Sequence, residues 1–70
     1  MTTAINRPLT DYQTAVLQAI ADGDTGQEIA GYQYTSRQAV YSCLEHIRRK
    51  LRATNTPQAV AEGLRRKLIK

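Results

Sequence analysis

The sequence has one cysteine, one histidine, no tryptophan and no phenylalanine. A single thiol, Cys43, excludes an internal disulfide framework and a multi-cysteine zinc site. Cys43 and His46 stand at i, i+3, but two ligands alone make a poor metal site, and a Cys–His nucleophile has no orienting third group here. The longest apolar run is a few residues, far short of a transmembrane helix. The N-terminal stretch Met1 to Arg7 has no apolar core of a signal peptide. The chain is therefore expected in the cytoplasm, with no membrane partner. Paired carboxylates, a nucleophile–base pair and a phosphate-binding loop are all missing, so neither an enzyme nor a cofactor is expected.

What is there is small and basic. Seventy residues hold one domain and leave no room for a second, sensory or catalytic one. At that size a single core is marginal, and helix packing, good caps or self-association must assist it. The chain is 41% apolar and 23% charged, the balance of a globular domain and not of a disordered one. Charge is unevenly placed. Residues 1–35 carry Arg7 against Asp11, Asp22, Asp24 and Glu28, a net −3; residues 36–70 carry nine basic residues against Glu45 and Glu62, a net +7. A basic half on a compact domain points to a polyanionic partner, or to a solvated helical face.

Residues 1–8 have no periodicity and read as an arm; residues 9–70 read as the domain. Thr10-Asp-Tyr-Gln13 fits a capping box, followed by the apolar stripe Val16, Leu17 and Ile20, with a stop at Asp22-Gly23. Thr25-Gly-Gln-Glu28 is a second capping box, and one or two turns fit before Gly31. Either Thr35 or Ser36 caps a third helix over about 37–52. There Val40, Leu44, Ile47 and Leu51 fall at i, i+4, i+7 and i+11, and the opposite face carries Gln38, Tyr41, Ser42, Glu45, Arg48, Arg49 and Arg52. Thr56-Pro57 opens a fourth helix with Pro at its first position and Val60, Leu64 and Leu68 as its buried stripe. The fold class is all-α with four helices. A short helix followed closely by a long one is the arithmetic of a helix-turn-helix.

Leu9-Thr10, Val16-Leu17, Ile20-Ala21-x-Gly23, Glu28-Ile29-Ala30, Ser36, Val40, Leu44, Ile47, Lys50-Leu51 and Asn55-x-x-Gln58-Ala59-Val60 together resemble the LuxR-type (GerE-like) DNA-binding domain. The resemblance runs without a gap from about Leu9 to Ile69. It implies a four-helix domain that binds DNA as a dimer, with the third helix in the major groove and the fourth helping to dimerise. The likeness is to the stand-alone type, without a receiver or autoinducer domain. The family usually has Leu and Ile where this chain has Gln33 and Thr35, beside the large Tyr32 and Tyr34. One tyrosine, Tyr34 before Tyr32, is expected to swing into the corner between the second and third helices; a slightly shifted turn would serve as well. The family's frequent Thr-Val-Lys-x-His stretch reads Ala39-Val40-Tyr41-Ser42-Cys43 here, and Glu45 stands where a basic residue is common.

The expected DNA contacts follow. Arg37, Gln38, Tyr41, Ser42 and Glu45 would face the groove, and Gln38 suits adenine. Thr25, Gln27, Arg48, Arg49 and Arg52 would hold the backbone. For Glu45 three roles stand open: acceptance from cytosine, an ion pair to Arg48 or Arg49, and exclusion of DNA. Cys43 reads most simply as a small buried apolar residue. Ala59 and Gly63 form a small-x-x-x-small pair which, with Glu62 and Arg66, would meet a second copy in a symmetric dimer. The leading function is a sequence-specific transcription regulator. The alternative is an interaction protein that captures another regulator through the fourth helix or the altered third-helix face. The partners expected are double-stranded DNA, a second copy, and another transcription regulator or RNA polymerase.

Overall fold

A computed structural model describes residues 8–70, so the arm expected for residues 1–8 lies outside the described residues apart from Pro8. Among the described residues there are four helices and no strand: α1 (Asp11–Ala21), α2 (Gly26–Tyr32), α3 (Arg37–Leu51) and α4 (Thr56–Arg65).

Each helix starts where a side chain satisfies the free N–H groups of its first turn. Thr10 accepts from the Gln13 N–H at 3.1 Å while the Gln13 side chain accepts from the Thr10 N–H at 3.0 Å. Thr25 and Glu28 repeat the arrangement for α2. Ser36, not Thr35, caps α3, accepting from the Ala39 N–H at 3.0 Å. Asn55 caps α4 at 2.8 Å, so Thr56 is its first residue and Pro57 its second. Helix α2 also passes through Gly31 and ends only after Tyr32.

All four helices close in the same way, with a left-handed residue and paired backbone bonds running back into the last turn. The left-handed residues are Gly23, Tyr34, Arg52 and Lys67. After α2, Thr35 N–H donates to Ala30 O at 3.0 Å and Tyr34 N–H to Gly31 O at 3.4 Å. This geometry corrects the expectation for Tyr34. Its left-handed backbone throws the side chain outward, to 95% exposure, and the corner closes around the half-buried Gln33 and Thr35. Tyr32 is half exposed too, its hydroxyl donating to Asp24 Oδ2 at 2.8 Å.

A non-glycine residue in the left-handed region costs about 1–2 kcal/mol, partly offset by the extra freedom glycine has in the unfolded chain. Tyr34 has no packing to lose. Tyr34→Gly is therefore expected to stabilise the domain by about 0.5–1 kcal/mol, read as a rise in thermal midpoint of a few degrees. An unchanged or lower midpoint would mean that Tyr34 is not strained.

Helices α1 and α3 each pack against the other three, while α2 and α4 do not meet. The core holds Leu9, Val16, Leu17, Ile29, Val40, Leu44, Ile47, Leu51, Ala59 and Ile69, with Cys43 among them as expected. The expected stripe on α4 is corrected at Leu64, which is 45% exposed; Val60 and Leu68, the latter beyond the helix end, are half-buried against the core, and the buried residues of α4 are Ala59 and Gly63. The turn at Lys67 sends the chain back so that Ile69, not Leu64, enters the core. The Gln18 side chain fixes that return: it accepts from the Lys70 N–H at 2.8 Å and donates to the Lys70 carbonyl at 2.9 Å.

Candidate nucleic-acid interface

Helix α3 carries two opposed lines of residues. Val40, Leu44, Ile47 and Leu51 point into the core. Gln38, Ser42, Glu45 and Arg49 repeat at the same spacing, offset by two positions, which at 3.6 residues per turn puts them on the far side of the helix. All four are exposed. The helix thus stands on the domain with one polar line directed straight out.

The two flanks of that line differ. Toward α2 lies Tyr41, 53% exposed, with the end of its ring against Gly26: a Cβ at Gly26 would stand 2.9 Å from Tyr41 Cζ and 3.0 Å from its hydroxyl oxygen. Arg37, Arg48 and Arg52 share this side by helical spacing. Arg37 and Arg52 are exposed, and Arg48 is half-buried. Thr25 and Gln27 sit at the adjoining start of α2, the Thr25 hydroxyl engaged as a cap and Gln27 exposed. Toward α1, Lys50 Nζ donates to Gln13 Oε1 at 2.9 Å. An open hollow of about 450 Å³ separates the first turn of α1 from α3, lined by Thr10, Tyr12, Gln13, Ala39, Ser42, Cys43 and His46. A smaller one of about 240 Å³ lies among Ser42, Glu45, His46 and Arg49.

Glu45 is engaged. It pairs with Arg49 at 3.2 Å and with Arg48 at 3.8 Å, one of the three roles left open for it. Exposed pairs of this kind are worth at most about 1 kcal/mol, so both arginines remain able to turn to a stronger anion. The Cys43 thiol is pushed up by burial, with the Lys50 charge pulling weakly the other way, so it stays protonated at neutral pH. Among the described residues no group of three or more His, Cys, Asp or Glu gathers around a point that could hold a metal ion.

The residues expected at a dimer contact divide. Ala59 and Gly63 are buried inside the protomer, which corrects their placement on a surface between two copies. The close approach that Gly63 permits is internal: a Cβ there would meet Leu17 Cδ2 at 3.0 Å and Ile69 Cγ1 at 3.2 Å. Glu62 is ion-paired to Arg65 and, at 2.7 Å, to Arg66; those hydrogen bonds hold its carboxyl below the usual carboxylate range.

Sequence reasoning placed the outward line and its arginines together but missed three neighbours. Tyr12 and His46 border the hollow beside that line. Gly26 accommodates Tyr41, and its one signal in the sequence is a poor helix former directly after a cap.

Residues 7–62, most of the chain, match the family described as bacterial regulatory proteins, luxR family (GerE). The chain belongs to the luxR family of bacterial regulatory proteins. That family comprises four-helix helix-turn-helix domains of DNA-binding regulators and not enzymes. The match spans α1 to α3 and the first seven residues of α4. No curated protein and no solved structure matches this luxR-family chain. No helix among its described residues is long and apolar enough to cross a membrane.

Proposed function

We propose that this luxR-family domain is a sequence-specific transcription regulator that binds duplex DNA in the cytoplasm as a homodimer, with α3 in the major groove. The observation that carries the reading is the outward line of α3. Gln38, Ser42, Glu45 and Arg49 stand directly opposite the buried line, with Arg37, Arg48 and Arg52 beside them. A helix fits the major groove, and Gln38, Ser42 and Glu45 on such a line reach base edges while Arg49 and the flanking arginines meet phosphates. Thr25 and Gln27, on either side of Gly26, would hold the backbone where the first helix of a helix-turn-helix crosses it. A second copy would meet α4 at the exposed Leu64, with Glu62 and Arg66 beside it.

The test is binding to a pool of short genomic duplexes, followed by fluorescence anisotropy across a salt series. A steep log–log slope with a two-fold symmetric subset retained at higher salt is the expected result. Arg49→Ala is expected to weaken binding to every duplex and to flatten the slope by about one unit. No binding even at low salt overturns the reading in favour of capture of another regulator through α4 or the α3 face.

A further inference from the structure

We infer that Tyr41 is a positioning residue and not a base reader: held across Gly26, it presents its hydroxyl to a backbone phosphate and leaves base recognition to Gln38, Ser42 and Glu45 on the outward line. The inference rests on the DNA-binding reading and assigns a role within it. Sequence alone put Tyr41 at the groove.

Three observations carry it. Tyr41 is one helical step away from the centre of the outward line, on the flank facing α2. The end of its ring, Cζ, Cε1 and the hydroxyl oxygen, fills the space that a side chain at position 26 would need, with separations of 2.9–3.0 Å. It nevertheless keeps 53% of its surface open to solvent, so the side chain is not sealed between the helices. A ring leaning sideways against a neighbouring helix does not extend toward the floor of a groove. Its hydroxyl stands instead where the strand passes between the two helices of a helix-turn-helix, and there a phenol donates to a phosphate oxygen. Such a bond fixes register and carries no sequence information. Gly26 is then the other half of the device, because any larger residue dislodges the ring.

Gly26→Ala separates this role from stability. The atoms in the way are the far end of a side chain that can swing out, and alanine is the better helix former. The fold is expected to survive with an unchanged or higher thermal midpoint. In the DNA-free protein, proton NMR of the Gly26 α-hydrogens is expected to show a ring-current shift that disappears in Tyr41→Ala. Binding is then measured on a 24-base-pair duplex taken from the retained pool and on single-base-pair variants of it. Tyr41→Phe, which keeps the ring and removes the hydroxyl, is expected to weaken all of them equally, by about tenfold, as for a lost hydrogen bond to a charged group. The salt slope stays unchanged, since a neutral donor displaces no counterion charge of its own. Gly26→Ala and Tyr41→Ala are expected to weaken binding to similar extents, and their combination no more than either alone.

A Tyr41→Phe or Tyr41→Ala loss confined to variants at one base pair would overturn the inference by making Tyr41 a base reader. Wild-type affinity in Tyr41→Phe, or absence of the ring-current shift, would overturn it as well. If the wild-type protein binds no duplex, the DNA-binding reading itself fails and takes this assignment with it. The salt series on the wild type separates that failure from the others.

Discussion

Leu17→Ala is expected to lower the thermal midpoint of this domain by about 10–25 °C, the largest effect of any conservative truncation in α1. Leu17 is fully buried and lies where α1, α4 and the returning C-terminal residues meet. Its Cδ2 stands 3.0 Å from the position a Gly63 Cβ would occupy, close to Ile69. Removing it leaves a cavity walled by a residue with no side chain to move in, so collapse around the gap is limited. The cost of about 2–5 kcal/mol compares with a total stability of about 4–10 kcal/mol for a chain of this length. Circular dichroism melting of both proteins decides the matter. A fall of less than about 5 °C would mean that the seam between α1 and α4 repacks, and that the core is looser than its burial implies.

The second large effect concerns affinity. Glu45→Gln is expected to strengthen binding to all duplexes by about tenfold or more, because it removes the one carboxylate on the outward line and releases two arginines. Glu45 holds Arg49 at 3.2 Å and Arg48 at 3.8 Å, and its own charge would lie against the phosphates. Glutamine keeps the shape and can still hydrogen-bond, so the helix is not disturbed. The competing outcome is informative. If affinity for the best duplex falls while that for variants at a single C·G pair does not, Glu45 accepts from cytosine N4 and is part of the code. Anisotropy titrations against the selected duplex and its single-base variants distinguish the two, since repulsion acts on every sequence alike and readout acts on one position.

The two effects report on opposite sides of the same pair of helices. Leu17 lies on the buried side of α1, where the fold is held, and Glu45 on the outward side of α3, the face proposed for DNA. Few residues serve both sides. Tyr41 touches both, because its ring lies against Gly26 of α2 while half of the side chain stays open to solvent.

By itself the sequence determined the four helices, the capping residues of α1 and α2 and the outward line of α3. These depend on interactions within about four positions: a hydroxyl or amide oxygen reaching the N–H three residues on, and a period that sends alternate sides of a helix in and out. That is why Thr10, Thr25, Val40, Leu44, Ile47 and Leu51 stand as their spacing implies. It is also why Gln38, Ser42, Glu45 and Arg49 were legible as one face. The tertiary structure decided the rest. Periodicity lined up Val60, Leu64 and Leu68, but the left-handed turn at Lys67 ends α4 early and turns Ile69 inward, held by Gln18 acting across 52 positions. Gly63 looked like a contact for a second copy until Leu17 and Ile69 were found against it. Tyr34 looked like a core residue until the backbone at the end of α2 turned it out. In each case the deciding partner is distant in sequence, or the deciding quantity is a backbone angle, and neither is written in the local pattern of apolar and polar residues.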